Sequence, residues 1–202
     1  MILNRQHKIY FIILIFMISL VLGACTPYSQ TNNDSDDINV IPRKKVYTSF
    51  YPIYDFTSKI AGEKMDIELI IPAGAEPHDF EVSPKIYADI ENADLVIING
   101  LGIESFADKI TSSIPSEKII NLEQYTDPLV FSGNDDGHGH DDDTEESDRI
   151  KYDPHVWLDP VRALAMSEAI YDSLSKIDPD NKSYYQQNYE QLTTSLKDLD
   201  RE

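Results

Sequence analysis

The chain predicts an α/β fold, a four-stranded and mostly parallel sheet with helices on both faces. Three observations carry this expectation. Between residues 45 and 122, stretches with strand character alternate with amphipathic helical stretches in the order β-α-β-α-β-α-β. Within Asp94 to Asn99, the run Leu95-Val96-Ile97-Ile98 is continuously apolar, as a strand buried on both faces requires. Pro77-His78 falls in a loop leaving the carboxyl end of one predicted strand, where open α/β sheets bind ligands, and Pro154-His155 lies beyond the fourth strand, within reach of the same edge.

Each element has a local reason. Lys45 to Tyr51 is rich in β-branched and aromatic residues, so it reads as a strand. Pro52 stops it and opens a helix with Ile53, Phe56, Ile60 and Ala61 on one face, ended by Gly62. Asp66 to Ile71 is the second strand, closed by Pro72 and Ala73-Gly74. Ser83 with Pro84 reads as an N-cap and first helical residue, followed by Ile86, Ile90 and Ala93. Gly100-Leu101-Gly102 turns the chain after the third strand, and Ile103, Phe106, Ala107 and Ile110 mark a third helix. Lys118 to Leu122 is the fourth strand. Val161 to Ile177 has one apolar face, and Asp178-Pro179 restarts a helix along which Tyr185, Tyr189, Leu192, Leu196 and Leu199 form a stripe in need of a partner. This last stretch has no C-cap before Glu202, so it is read as a longer helix broken off.

The N-terminus is expected to lie outside the fold. Arg5, His7 and Lys8 precede a mostly apolar run from Ile9 to Leu22, short of the roughly 20 residues of a comfortable membrane span. Residues 1–24 are therefore read as an export signal. It closes on Leu22-Gly23-Ala24-Cys25, which resembles a lipobox, so Cys25 is the expected lipidated N-terminus. Cys25 is the only cysteine, and no disulfide framework is called for. Residues 25–42 are polar and read as a flexible tether. Residues 43–177 make one domain. Within it, residues 133–149 are a low-complexity acidic loop, expected to be disordered, whose histidines are His138 and His140. A net charge of −19 argues against nucleic acid as a partner and favours a cationic ligand.

The residues that could carry chemistry lie in two frames. Asp153-Pro154-His155-Val156-Trp157-Leu158-Asp159-Pro160 places one imidazole between two prolines and two carboxylates, and it contains the only tryptophan. Glu76-Pro77-His78-Asp79 repeats the arrangement upstream. Prolines restrict the backbone on either side, and neutral imidazole is the commonest zinc ligand. A ligating histidine also needs an acceptor for its other ring nitrogen, and Glu76, Asp79, Asp153 and Asp159 are the candidates. The pair Gly100-Leu101-Gly102 lacks both the third glycine of a dinucleotide loop and a P-loop lysine, so it reads as a turn.

Three stretches in order resemble the zinc/manganese solute-binding lipoproteins of ABC transporters, the ZnuA/TroA-like group. They are Gly74-Ala75-Glu76-Pro77-His78-Asp79-Phe80-Glu81-Val82-Ser83-Pro84, then Ala93-Asp94-Leu95-Val96-Ile97-Ile98-Asn99-Gly100-Leu101-Gly102, then the octapeptide around His155. The resemblance implies a two-lobed receptor with a long linking helix and metal held between the lobes. His78 and His155 would be the ligands of the N-terminal lobe, and residues 178–202 the start of the linking helix, with the C-terminal lobe and its third and fourth ligands absent from this chain. The acidic loop with His138 and His140 matches an insertion of zinc-selective members and is read as accessory metal capture.

The implied function is an extracytoplasmic, lipid-anchored component of a metal importer that captures Zn(II) and delivers it to a membrane permease. It is expected to be monomeric and not an enzyme. The alternatives are a manganese receptor, an adhesin lipoprotein of the same family, and a non-functional truncated product. A zinc hydrolase with Glu76 or Asp153 as base is disfavoured by the lack of an H-E-x-x-H motif, a nucleophile elbow or a third ligand.

Overall fold

The computed structural model describes residues 42–130 and 152–202. The signal, Cys25, almost all of the tether, and the acidic loop with His138 and His140 lie outside the described residues. Four strands form one sheet: β1 (Lys44–Thr48), β2 (Met65–Leu69), β3 (Leu95–Ile98) and β4 (Ile119–Asn121). They lie in the order β2-β1-β3-β4, and every neighbouring pair is parallel. Lys44 faces Met65, Val46 faces Leu95, and Val96 faces Ile119. All of β3 is buried, as its unbroken apolar run predicts, because cover on both faces leaves no side for water.

The helices are α1 (Tyr51–Ala61), α2 (Pro84–Glu91), α3 (Ala107–Ser113), α4 (Pro160–Ile177) and α5 (Lys182–Leu199). α1, α4 and α5 pack on one another. Ile53 and Ile60 of α1, Met166, Ile170 and Leu174 of α4, and Tyr185 of α5 are all fully excluded from water. Each such side chain contributes roughly 1.5–3 kcal/mol of burial. Tyr171 and Tyr189 stack with centroids 5.0 Å apart, and Asn188 donates an amide N–H to the Ile60 carbonyl at 3.0 Å. The α5 stripe thus finds its partner from Tyr185 to Leu196, while Leu199 at its end is 57% exposed. No helix among the described residues is long and apolar enough to cross a membrane.

Element boundaries depart from the sequence reading in a few places. β1 ends at Thr48 because Phe50 already serves as the N-cap of α1, which starts at Tyr51 with Pro52 inside its first turn. β2 ends at Leu69, yet the ladder runs on, with Ile70 and Ile71 N–H groups donating to the Thr48 and Ser49 carbonyls at 2.9 Å. Helix α3 starts at Ala107, not Ile103. The delay comes from Glu104, whose carboxylate turns back to accept the N–H groups of Asn99 and Gly100. Asp178 does not lead directly into an α-helix. A 3-10 turn, Pro179–Asn181, intervenes, and the Asp178 carboxylate accepts from Asn181 and from the Tyr185 hydroxyl.

Candidate metal centre

The His155 frame is built by its own carboxylate. Asp153 Oδ1 accepts the His155 main-chain N–H at 2.9 Å and lies 2.8 Å from Nδ1 of the same ring. A carboxylate only accepts, so Nδ1 carries the proton and the lone pair is left on Nε2. The arrangement selects the tautomer that ligates through Nε2. It also holds the Asp153 carboxyl below its ordinary range, chiefly through the His155 main-chain N–H and then through the ring. His155 itself precedes a 3-10 turn, Val156–Leu158, whose Val156 is buried and anchors the loop. Trp157 lies against the His155 ring with centroids 5.3 Å apart, and Phe50 backs Trp157 edge-on at 4.8 Å. The imidazole is therefore restrained at one nitrogen and along one face, and remains 47% exposed.

The His78 loop leaves the carboxyl end of β2. Ala75 donates to the Pro72 carbonyl at 3.1 Å, and Gly74 adopts φ 86°, a left-handed conformation that glycine reaches without strain. Glu76 accepts the His78 main-chain N–H at 3.4 Å, so its carboxylate serves the backbone, not the imidazole. Asp79 is exposed. Downstream, the Phe80 carbonyl accepts from the Ser105 hydroxyl at 2.8 Å, and Phe80 meets Phe106 edge-on at 6.4 Å, tying the loop to the approach of α3.

The two imidazoles come together. Their centroids are 6.1 Å apart at an interplanar angle of 61°. Two imidazoles sharing one ion at Zn–N distances of about 2.0–2.1 Å and a tetrahedral angle would sit about 5 Å apart. The observed centroid separation exceeds that value by about 1 Å. Among the described residues no group of three or more His, Cys, Asp and Glu side chains could hold a metal ion, and the two imidazoles are what the fold brings together here. A cleft of about 350 Å³ opens beside it, lined by Asp153, His155, Leu158 and Arg162 among others.

Of the four carboxylates read from the sequence as acceptors behind the histidines, Asp153 stands on an imidazole nitrogen. Asp159 is directed elsewhere. One of its oxygens accepts the Val161 and Arg162 N–H groups at 2.9 and 3.0 Å, and the other pairs with the Arg162 guanidinium. It is the N-cap of α4. Phe50, Asn99 and Glu104 surround the site without having been singled out from the sequence. Asn99 alone carried a hint, as a polar residue closing an apolar strand.

The chain has known relatives. The family model described as zinc-uptake complex component A, periplasmic, matches residues 46–202. The chain is 34% identical over 190 residues to the zinc-binding lipoprotein AdcA of Streptococcus pneumoniae (strain R6), covering 94% of this chain and 36% of that protein. It is 31% identical over 198 residues to the high-affinity zinc uptake system protein ZnuA of Bacillus subtilis, covering 98% of this chain and 60% of that one. Among solved structures, the Zn(II)-bound ZnuA-like domain of S. pneumoniae AdcA superposes with a TM-score of 0.63 at 34% identity, covering 79% of this chain and 54% of that domain. The chain thus spans between about a third and three-fifths of its relatives' length. The four-stranded parallel sheet is the architecture these relatives share, and the chain belongs to the zinc-uptake complex component A family.

Proposed function

We propose that this chain is the zinc-capturing part of an extracytoplasmic receptor that delivers Zn(II) to an ABC permease, with His78 and His155 as metal ligands. The observation that carries the reading is the pair of imidazoles 6.1 Å apart, one of them set by Asp153 in the tautomer that ligates through Nε2. Membership of a zinc-uptake family supports it. Imidazole nitrogens suit zinc better than manganese, which prefers oxygen donors, so zinc is the favoured cargo and manganese the alternative. The work of such a site is binding and release, not catalysis. Lipidation at Cys25 would hold the receptor at the outer face of the membrane, as a single copy beside its permease.

Zinc titration by calorimetry tests the reading. Residues 133–148 are removed first, since His138 and His140 offer competing donors. His78→Ala and His155→Ala are each expected to abolish the site, and the double variant to match either single one. Two histidines without a closed four-ligand shell should bind more weakly than a full receptor, because affinity falls as water replaces protein ligands. Unchanged affinity in both single variants would refute the half-site.

A further inference from the structure

Behind His155 lies a buried polar relay with no evident part in the core. Asn99, at the carboxyl end of β3, is fully buried. Its amide Nδ2 donates to the Pro154 carbonyl at 3.1 Å, across 55 residues of chain, and to the Gly100 carbonyl at 3.1 Å. Its Oδ1 is buried without a hydrogen-bond partner among the described residues. Such an orphaned acceptor is destabilising, so an apolar side chain of similar size would serve the core better. The main chain of Asn99 is fixed from the other side by Glu104, which is 3% exposed. Its two carboxylate oxygens accept the Asn99 N–H at 2.7 Å and the Gly100 N–H at 3.0 Å. Burial drives the Glu104 carboxyl upward, and these N–H groups oppose the shift.

The Pro154 carbonyl belongs to the peptide plane whose other end is the His155 N–H. Asn99 holds the oxygen of that plane, and Asp153 holds its N–H at 2.9 Å. A peptide plane is rigid, so holding both ends fixes the position of the His155 Cα and the axis about which its side chain turns, and the Asp153 contact with Nδ1 then sets the ring. We infer that Asn99, locked by Glu104, is a positioning residue for His155, aligning its imidazole with the Asp153 carboxylate so that Nε2 stays free for metal. The inference rests on His155 being a zinc ligand.

The test uses the full chain carrying His138→Ala and His140→Ala, with Asn99→Ala, Asn99→Asp and His155→Ala compared in that background. Asn99→Ala removes the donor. Asn99→Asp keeps the shape but turns an acceptor toward two carbonyls. Two readouts are taken: zinc affinity by competition with a chromophoric chelator, and the ring-nitrogen tautomers of metal-free His155 and His78 by long-range ¹⁵N–¹H NMR. Both Asn99 variants are expected to lose about tenfold or more in zinc affinity, the usual scale for groups behind a ligand. His155 should move from the Nδ1–H form toward the mixture of a free imidazole, with His78 unchanged. Folded Asn99 variants that keep both affinity and tautomer would overturn the inference, as would failure of both to fold, which would make Asn99 a residue of the fold alone. If His155→Ala loses zinc while the Asn99 variants do not, only the positioning role fails. Should His155→Ala bind zinc like its parent, the metal half-site itself is wrong and the inference falls with it.

Discussion

A carboxylate that takes both the main-chain N–H and the ring N–H of one histidine restrains that side chain twice, as Asp153 does for His155. Removing it frees the tautomer and the ring together. Asp153→Ala is therefore expected to weaken zinc binding by about 10–100-fold with little change in far-UV circular dichroism, and calorimetric titration of the two proteins checks it. Gly100 is the other residue at which one substitution should tell. It adopts φ 79°, and a Cβ there would stand 2.2 Å from Asn121 Oδ1 and 2.5 Å from Glu123 Oε2. Gly100→Ala combines left-handed strain with displacement of two polar side chains, one of which accepts the Leu101 N–H at 2.7 Å. A loss of at least about 2 kcal/mol is expected, read from the urea midpoint.

Among the elements, α4 carries the clearest electrostatic signature. Its N-cap Asp159 is held below the ordinary carboxylate range, first by the Arg162 main-chain N–H, against the opposing effect of burial, and then by the Arg162 charge. A depressed carboxyl favours the folded state only while ionised. Its stabilisation is present above the unfolded-state value of about 3.9 and is lost as pH falls through the lower folded-state value. Asp159→Ala should cost about 1 kcal/mol near neutrality, and this difference should shrink as pH falls below the folded pKa, since the protonated acid keeps only a neutral acceptor. Urea denaturation of both proteins across pH measures it. The Ser83 cap of α2 was legible in the sequence and is present, with its hydroxyl accepting the Ile86 N–H at 3.4 Å. The late start of α3 was not legible, because Glu104, although only four and five residues beyond Gly100 and Asn99, commits its carboxylate to their N–H groups, a choice that apolar spacing does not announce.

In the molecule as a whole, the order β2-β1-β3-β4 places β1 between two strands that follow it in sequence. The direction of chain progression reverses there, and a crevice opens at the carboxyl edge. The loops after β1, β2 and β3 meet at this edge, with Phe50 against Trp157, His78 near His155 and Asn99 on Pro154. At the base of the acidic stretch, Val130 and Tyr152 form an antiparallel bridge, and the Asp153 N–H donates to the Leu129 carbonyl at 2.9 Å. The two ends are thus already paired. Replacing residues 133–148 with a short turn should shift the melting temperature by no more than about 2 °C, since closure entropy varies slowly with loop length. Differential scanning calorimetry is the measurement. Cys25→Ala should move the protein from the membrane fraction to the soluble one, and fractionation of cells expressing it would show whether it does.

Local pattern was enough to specify the element types, their order and the parallel sheet. A buried strand needs an unbroken apolar run, and a helix needs a cap and a repeating face; both are written in neighbouring residues, as at Leu95–Ile98 and at Ser83. Apolar pattern did not decide which carboxylate serves which group. Asp153 and Asp159 both lie within four residues of His155 in the chain, yet one turns to the imidazole and the other to the first turn of α4. The link from Asn99 to Pro154 crosses 55 residues, and no local pattern encodes it. Hydrogen-bond partners are chosen by distance in space, and spacing along the chain determines that distance only within an element.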